Sequence, residues 1–169
     1  FNEDALRMMR AVRFAGQLGF TIESDTFNAI RTLKANLERV AVERMKVEFE
    51  KMILSPHRTL SFKAFVESDL YHSCPDFKEA KETLLKLGEF PLEKMTITQA
   101  WILFAYYERL SIPQLRKVLK NWKSSNDQIS TILTGYQTLL ARLEKEWDAF
   151  LAYECPEVLA IEVEQLLPG

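Results

Sequence analysis

The amino-acid sequence predicts an all-α fold. Apolar residues recur at helical spacing in nearly every segment, and no stretch alternates apolar and polar residues as a half-buried strand would. The 169 residues include only 5 glycines and 6 prolines, which argues against an all-β fold with many tight turns and against disorder. A chain of this length can bury the core of one domain or of two small ones.

Three helices are expected in the first 55 residues. The first follows Asn2, a good N-cap, and stops at Gly19. Its apolar positions keep a helical period: Ala5, Met8, Met9, Val12, Ala15 and Leu18. Ser24 is expected to cap the second helix, and the third is expected over about Val42 to Leu54.

Six more helices are predicted beyond Pro56, near Leu60–Val66, Phe77–Leu87, Thr98–Tyr107, Pro113–Trp122, Asn126–Trp147 and Glu157–Leu167. A proline disfavours helical backbone at the residue before it, so the Ser55-Pro56 step marks a break. We place the domain boundary there, which gives one part of residues 1–55 and a second of residues 56–169.

Composition and charge exclude several classes of protein and single out none. The net charge is −2, with nine Lys/Arg against eight Asp/Glu in residues 1–54 and thirteen against sixteen in residues 55–169, so bulk charge does not indicate a nucleic-acid binder. Cys74 and Cys155 show no ligand or redox spacing, which suits a reducing cytoplasm. No apolar run is long enough for a membrane span. Because the chain starts at Phe1 and enters a helix at once, we interpret it as a piece of a longer protein.

The first helix carries a row of arginines. Arg7, Arg10 and Arg13 are spaced i, i+3, i+6, which places them over about a third of the helix circumference. Three like charges at this spacing repel one another, so an isolated helix gains nothing from them. Together they suit an anion with several oxygens, such as a triphosphate.

Asp4 lies one turn before Arg7, so a carboxylate and a guanidinium can point the same way. Cytosine and adenine each present an amine donor beside a ring-nitrogen acceptor, whereas guanine and uracil present a carbonyl beside an N–H. An Asp/Arg pair therefore matches C and A and leaves polar groups unpaired against G and U. The alternative interpretation is a surface salt bridge on a solvated helix face.

Two segments resemble a known family. The stretch EDALRMMRAVRFAGQLGFTIE resembles the EDxxR segment of class II tRNA nucleotidyltransferases, the CCA-adding enzymes, and of the related bacterial poly(A) polymerases. The stretch LERVAVERMKVEFEKMIL resembles the ER-x(3)-E neck helix of that family. A weaker resemblance continues through Leu70–Phe77 and WKSSNDQI, so only about the first fifty residues are specific.

The resemblance implies roles for residues of the first helix. Asp4 and Arg7 would hydrogen-bond the pairing edge of incoming CTP or ATP, and Arg10 and Arg13 would bind the same nucleotide at its phosphates. Glu3, the leading acid of the motif, would orient a neighbour without touching the nucleotide.

The resemblance also implies supporting positions on the third helix, where Arg44 and Glu48 fall on the neck pattern and would brace the first helix. For this pair we favour the structural role over direct contact with the nucleotide.

The family fold implied is a head with a small β-sheet followed by a helical neck and body. The head would hold Mg²⁺ on paired carboxylates, and this chain contains neither an Asp-x-Asp nor a Gly-rich phosphate loop. We therefore expect no catalytic residue and no metal ligand here, and no activity from this chain alone. The implied partners are tRNA, CTP, ATP and the protein's own N-terminal head, with no membrane partner; the oligomeric state is not predicted.

A second cationic row lies near residue 120. Arg116, Lys117, Lys120 and Lys123 fall on one side of a predicted helix and are candidates for contact with tRNA phosphates. A plain solvated face is the alternative. RNA recognition of this kind would depend on shape and backbone, with little dependence on sequence.

Two other functions compete with CCA addition by the parent enzyme, which joins CMP and AMP to tRNA 3′ ends without a nucleic-acid template. A poly(A) polymerase, or an A-adding or CC-adding relative, shares the EDxxR segment. A helical interaction module without nucleotide binding would make the resemblance a coincidence.

Overall fold

A computed structural model describes residues 2–33, 40–144 and 157–168; the side chains of residues 2–5, 27 and 31–33 are outside the description. The described residues form helices and connecting turns without a strand, which confirms the all-α class. The chain divides into two compact units. The first contains residues 1–94 and 121–123, and the second contains residues 95–120 and 124–169.

The described residues of the first unit form five α-helices and one 3-10 turn: α1 (Asn2–Leu18), α2 (Ser24–Leu33), α3 (Val42–Ile53), α4 (Arg58–Glu67), the 3-10 turn Leu70–Ser73, and α5 (Lys81–Glu89). The predicted stop after α1 is confirmed. Gly19 has a φ of 73°, which favours glycine, and its N–H donates to the Ala15 carbonyl at 2.9 Å.

The core of the first unit is aromatic. The Phe49 ring on α3 lies 5.0 Å from Phe77 and 5.2 Å from Trp122, measured between ring centroids. Phe62 and Phe65 on α4 complete the cluster, and all five residues are almost fully buried. Rings packed edge-on or tilted at this range add stability beyond their buried area.

Helix α1 packs closely on α4 at a glycine. A Cβ built on Gly16 would lie 1.9 Å from Ser61 Oγ, so the two helices approach to a distance that only glycine permits there. The buried Ser61 hydroxyl donates to the Val12 carbonyl at 3.0 Å, and the His57 N–H donates to the Gly16 carbonyl at 3.0 Å. These contacts fix the position of α1 on α4.

The expected boundary between residues 55 and 56 falls inside the first unit, because α1 and α4 pack together across it. By contacts, the chain divides between Lys94 and Met95. As a division of roles between residues 1–55 and 56–169, the earlier boundary stays a prediction.

The second unit holds α6 (Ile97–Glu108), most of α7 (Ile112–Asn121), α8 (Asn126–Leu143) and α9 (Glu157–Glu164). Thr96 and Gln99 form a capping box at the start of α6, and the Ser125 side chain caps α8 by accepting from the Gln128 N–H. On α6, Trp101 and Phe104 are buried, whereas Tyr106 is exposed.

Two predicted helix limits were wrong. Helix α5 begins at Lys81, not at Phe77, because Asp76 has a φ of 61° and Phe77 lies in a turn, with its ring in the aromatic core. Helix α9 ends at Glu164, three residues before the predicted limit. The expected end of α8 near Trp147 lies outside the described residues.

Candidate functional site

One face of α1 is buried and the opposite face is open. Leu6, Met9, Val12 and Ala15 are at most 1% exposed and form the buried face. Arg7 is exposed. Glu3 and Asp4 belong to the first turn of the helix, one turn before Arg7, and their side chains lie outside the described residues.

Glu48 on α3 joins two of the predicted arginines. Its carboxylate accepts from Arg10 Nε at 3.0 Å and from Arg13 Nε at 2.6 Å, one oxygen to each guanidinium. Glu48 is only 3% exposed, so both ion pairs are shielded on the carboxylate side. Charge-assisted bonds of this kind are stronger than bonds between neutral groups. These two bonds join α3 to α1, and the bracing role of Glu48 stays a prediction.

Arg13 is the most enclosed member of the row. It is 9% exposed, its Nη1 donates to Gln17 Oε1 at 3.1 Å, and its guanidinium lies 4.3 Å from the centre of the Phe14 ring. These partners hold the guanidinium against the helix surface. The predicted contact of Arg13 with phosphate stays a prediction.

Arg10 has a more open position than Arg13. Its side chain is 41% exposed, and it lines a small cleft of about 120 Å³ with Arg44, Val47 and Glu48. Ligand pockets for drug-sized molecules are commonly about 300 to 1,000 Å³. The cleft is therefore smaller than a pocket for a whole nucleotide. Arg44 on α3 lines it, and the bracing role of Arg44 stays a prediction.

Sequence reasoning missed Gly16 and Ser61, where α1 meets α4, and Gln17, which accepts a hydrogen bond from Arg13 within α1. Gln17 could have been found from its i+4 spacing to Arg13, which brings two helical side chains together. Ser61 carries no such signal, because its contacts to α1 span 48 and 49 residues of sequence.

The four cations of the second row do not all line the same groove. Arg116 and Lys120 line a groove of about 480 Å³ between α7 and α8. Lys117 is exposed on α7 and does not line that groove, and Lys123 follows the helix with a φ of 59°. The structure thus separates Arg116 and Lys120 from the other two cations.

Across residues 2–33, 40–144 and 157–168, no group of three or more His, Cys, Asp or Glu side chains is arranged to hold a metal ion. None of the described helices is both long and apolar enough to cross a bilayer. Burial raises the pKa of the Cys74 thiol well above its ordinary value, which keeps this side chain protonated.

Two family models match the chain. One is described as the probable RNA- and SrmB-binding site of polymerase A and covers residues 19–81. The other is described as domain 2 of tRNA nucleotidyltransferase and covers residues 92–168.

Several longer proteins are similar to this chain over nearly all of its 169 residues. A CCA-adding enzyme of Enterococcus faecalis is 39% identical over 168 residues, 99% of this chain and 41% of the relative. One of Latilactobacillus sakei is 36% identical, over 99% of this chain and 43% of the relative. The crystal structure of the Bacillus stearothermophilus CCA-adding enzyme in complex with CTP has a TM-score of 0.86 at 27% identity, over 98% of this chain and 42% of that one. The chain thus spans about two fifths of the length of these relatives.

Proposed function

Because this chain belongs to the family of class II tRNA nucleotidyltransferases, the CCA-adding enzymes and related poly(A) polymerases, we propose that it supplies the nucleotide-selecting and tRNA-holding part of a CCA-adding enzyme. The whole protein would add CMP and AMP to tRNA 3′ ends from CTP and ATP, without a nucleic-acid template. The observation that carries the proposal is the pair of bonds from buried Glu48 to Arg10 and Arg13, which fixes α1 as a rigid platform.

Selection would occur at the first turns of α1. The Asp4 carboxylate would accept from the exocyclic amine of C or A, and the Arg7 guanidinium would donate to the neighbouring ring nitrogen. A G or U would face each of these groups with a like group, and buried polar groups would stay unpaired. The exposure of Arg7 on a helix whose other face is buried supports this role.

Rigidity is what makes such a template selective. A helix anchored by Gly16 on α4 and by Glu48 on α3 cannot shift to accept a mismatched base. Arg10, held at Nε and partly exposed, would reach a phosphate with its remaining nitrogens. Arg13 is proposed as a second phosphate ligand, and its contacts with Glu48 and Gln17 also give it a bracing role.

Among the described residues, no group of three or more carboxylate, histidine or cysteine side chains is arranged to hold a metal ion. We propose that Mg²⁺ of the whole protein is bound outside them, where it would activate the tRNA 3′-hydroxyl and neutralise the leaving phosphates. Residues of this chain would bind and orient the nucleotide and the RNA. We further propose that Arg116, Lys117, Lys120 and Lys123 support the RNA through its phosphates.

A poly(A) polymerase is the second candidate, favoured by the description of the family model over residues 19–81. Nucleotide incorporation assays with the full-length protein distinguish CCA addition from poly(A) synthesis. With CTP alone, ATP alone and both, a CCA-adding enzyme extends a tRNA lacking its 3′ end by a defined CCA, and a poly(A) polymerase adds a run of A from ATP alone.

The template role is tested by Asp4→Ala and Arg7→Ala in the full-length protein. Each is expected to relax discrimination against UTP and GTP while the circular dichroism spectrum is retained, because the matched partner of the base is lost. Lys63→Ala is the control, since Lys63 is an exposed cation on α4 that pairs with Glu67 one turn away. Variants with wild-type selectivity would refute the template.

A further inference from the structure

The groove between α7 and α8 in the second unit has two unlike walls. Arg116 and Lys120 form the α7 wall, and the α8 wall presents Asn126, Ser130, Thr134 and Gln137. The floor is apolar, formed in part by Ile129 and Leu133, each 6% exposed. The cavity volume of about 480 Å³ is large enough for a segment of a polymer chain to lie between the walls.

The charge of the groove is one-sided. Arg116 and Lys120 are one helical turn apart on α7, and both are exposed. None of the residues lining this groove is acidic. Two like charges on one face of a helix destabilise it slightly, so a bound anion is the natural counter-charge.

The opposite wall offers neutral hydrogen-bonding groups. Asn126, Ser130, Thr134 and Gln137 are spaced i, i+4, i+8 and i+11, so they follow one face of α8. Within the described part of the chain, these four side chains, Arg116 and Lys120 make no hydrogen bond or ion pair with another residue. Amides and hydroxyls both donate and accept, which is what a ribose 2′-hydroxyl requires.

We propose that this groove binds one strand of an RNA backbone, with Arg116 and Lys120 on phosphates and the α8 wall on ribose 2′-hydroxyls. The proposal rests on the proposed function for the identity of the polymer. It goes further by assigning the site, the two separate tasks of the walls and a preference for RNA over DNA. The family model described as RNA-binding covers residues 19–81, so this groove is outside that match.

The test measures binding of the 169-residue chain to a fluorescent tRNA transcript and to DNA of the same sequence, over about 50 to 200 mM salt. Arg116→Ala combined with Lys120→Ala is expected to weaken both and to reduce the slope of log K against log salt by about 0.7 to 0.9 per lost phosphate contact. Lys94→Ala is the control, an exposed lysine outside the groove that neither proposal places on RNA, and it is expected to bind as the wild type does.

The α8 wall is tested by combining Ser130→Ala, Thr134→Val and Gln137→Ala. This variant is expected to lose affinity for the transcript by about fivefold per lost hydrogen bond and to bind DNA unchanged, because DNA has no 2′-hydroxyl. Equal losses on RNA and DNA, or a loss from Lys94→Ala as large as that from the α7 pair, would overturn the assignment.

The two proposals fail separately. If the groove variants bind the transcript as tightly as the wild type, the groove is not the RNA site, while nucleotide selection by Asp4 and Arg7 is untouched. If the wild-type chain does not bind the transcript at about 50 mM salt, the groove proposal is also wrong, and the incorporation experiment still decides the proposed function.

Discussion

Helices α1 and α7 carry cations at similar spacing in different surroundings. On α1, Arg10 and Arg13 are both bonded to one buried carboxylate, Glu48. On α7, Arg116 and Lys120 face a groove whose lining contains no acidic residue. A cation row fixed by an internal carboxylate is suited to holding a small ligand in one geometry. A row of exposed cations is suited to the phosphate backbone of a polymer, whose binding depends on charge more than on one exact geometry.

The largest expected effect comes from removing the carboxylate that fixes α1. Glu48→Ala leaves Arg13 nearly buried without its counter-charge, and breaking a buried pair in this way costs about 3 to 5 kcal/mol of unfolding free energy. Urea denaturation followed by circular dichroism measures it.

Glu50→Ala is the matched control for Glu48. Glu50 lies on the same helix and is half-buried, with an i,i+4 pair to Lys46 at 3.4 Å, so its loss is expected to cost about 0.5 kcal/mol. Equal losses from the two variants would show that Glu48 does not fix α1.

A smaller effect is expected where α1 meets α4. Gly16→Ala places a Cβ 1.9 Å from Ser61 Oγ, and the required helix shift is expected to cost about 1 to 3 kcal/mol in the same measurement. Adding Ser61→Gly should recover part of the loss. Gly135→Ala on α8 is the comparison, because its close neighbour is the flexible end of Ile102, and it should cost less. If Gly16→Ala proved neutral, α1 would not depend on this close approach.

The smallest effect on stability is expected on α7. Arg116→Ala and Lys120→Ala should each change the unfolding free energy by less than about 0.5 kcal/mol, because both side chains are exposed and have no described partner. Thermal and urea unfolding measure this change. A change larger than expected would mean that these cations support the fold, and the contrast with α1 would be lost.

Local sequence patterns predicted the fold more completely than they predicted the site. Apolar periodicity and Gly19 were sufficient for α1, because a helix and its stop are encoded within a few residues. The start of α5 was not predictable in this way. Phe77 looks like a helical apolar position in sequence, yet it packs on Phe49 and Trp122, which are distant in the chain.

For the site, the sequence predicted which cations share one side of a helix, but it did not predict which neighbouring helix each cation faces. The spacing of Arg7, Arg10 and Arg13 placed them on one side of α1, but how far α3 covers that side depends on a partner 35 residues from Arg13. In the same way, four cations near residue 120 looked equivalent, and only the position of α8 distinguishes Arg116 and Lys120 from Lys117. A local sequence pattern does not predict packing between residues that are distant in the chain.

The most direct test exchanges the two proposed template groups, as Asp4→Arg with Arg7→Asp in the full-length protein. Exchange of donor and acceptor inverts the pattern offered to the base, so incorporation should shift from CTP and ATP toward UTP and GTP, measured as the ratio of kcat/KM values. An exchanged variant that still prefers CTP and ATP by the wild-type ratio would contradict the account. Selection would then lie elsewhere in the protein.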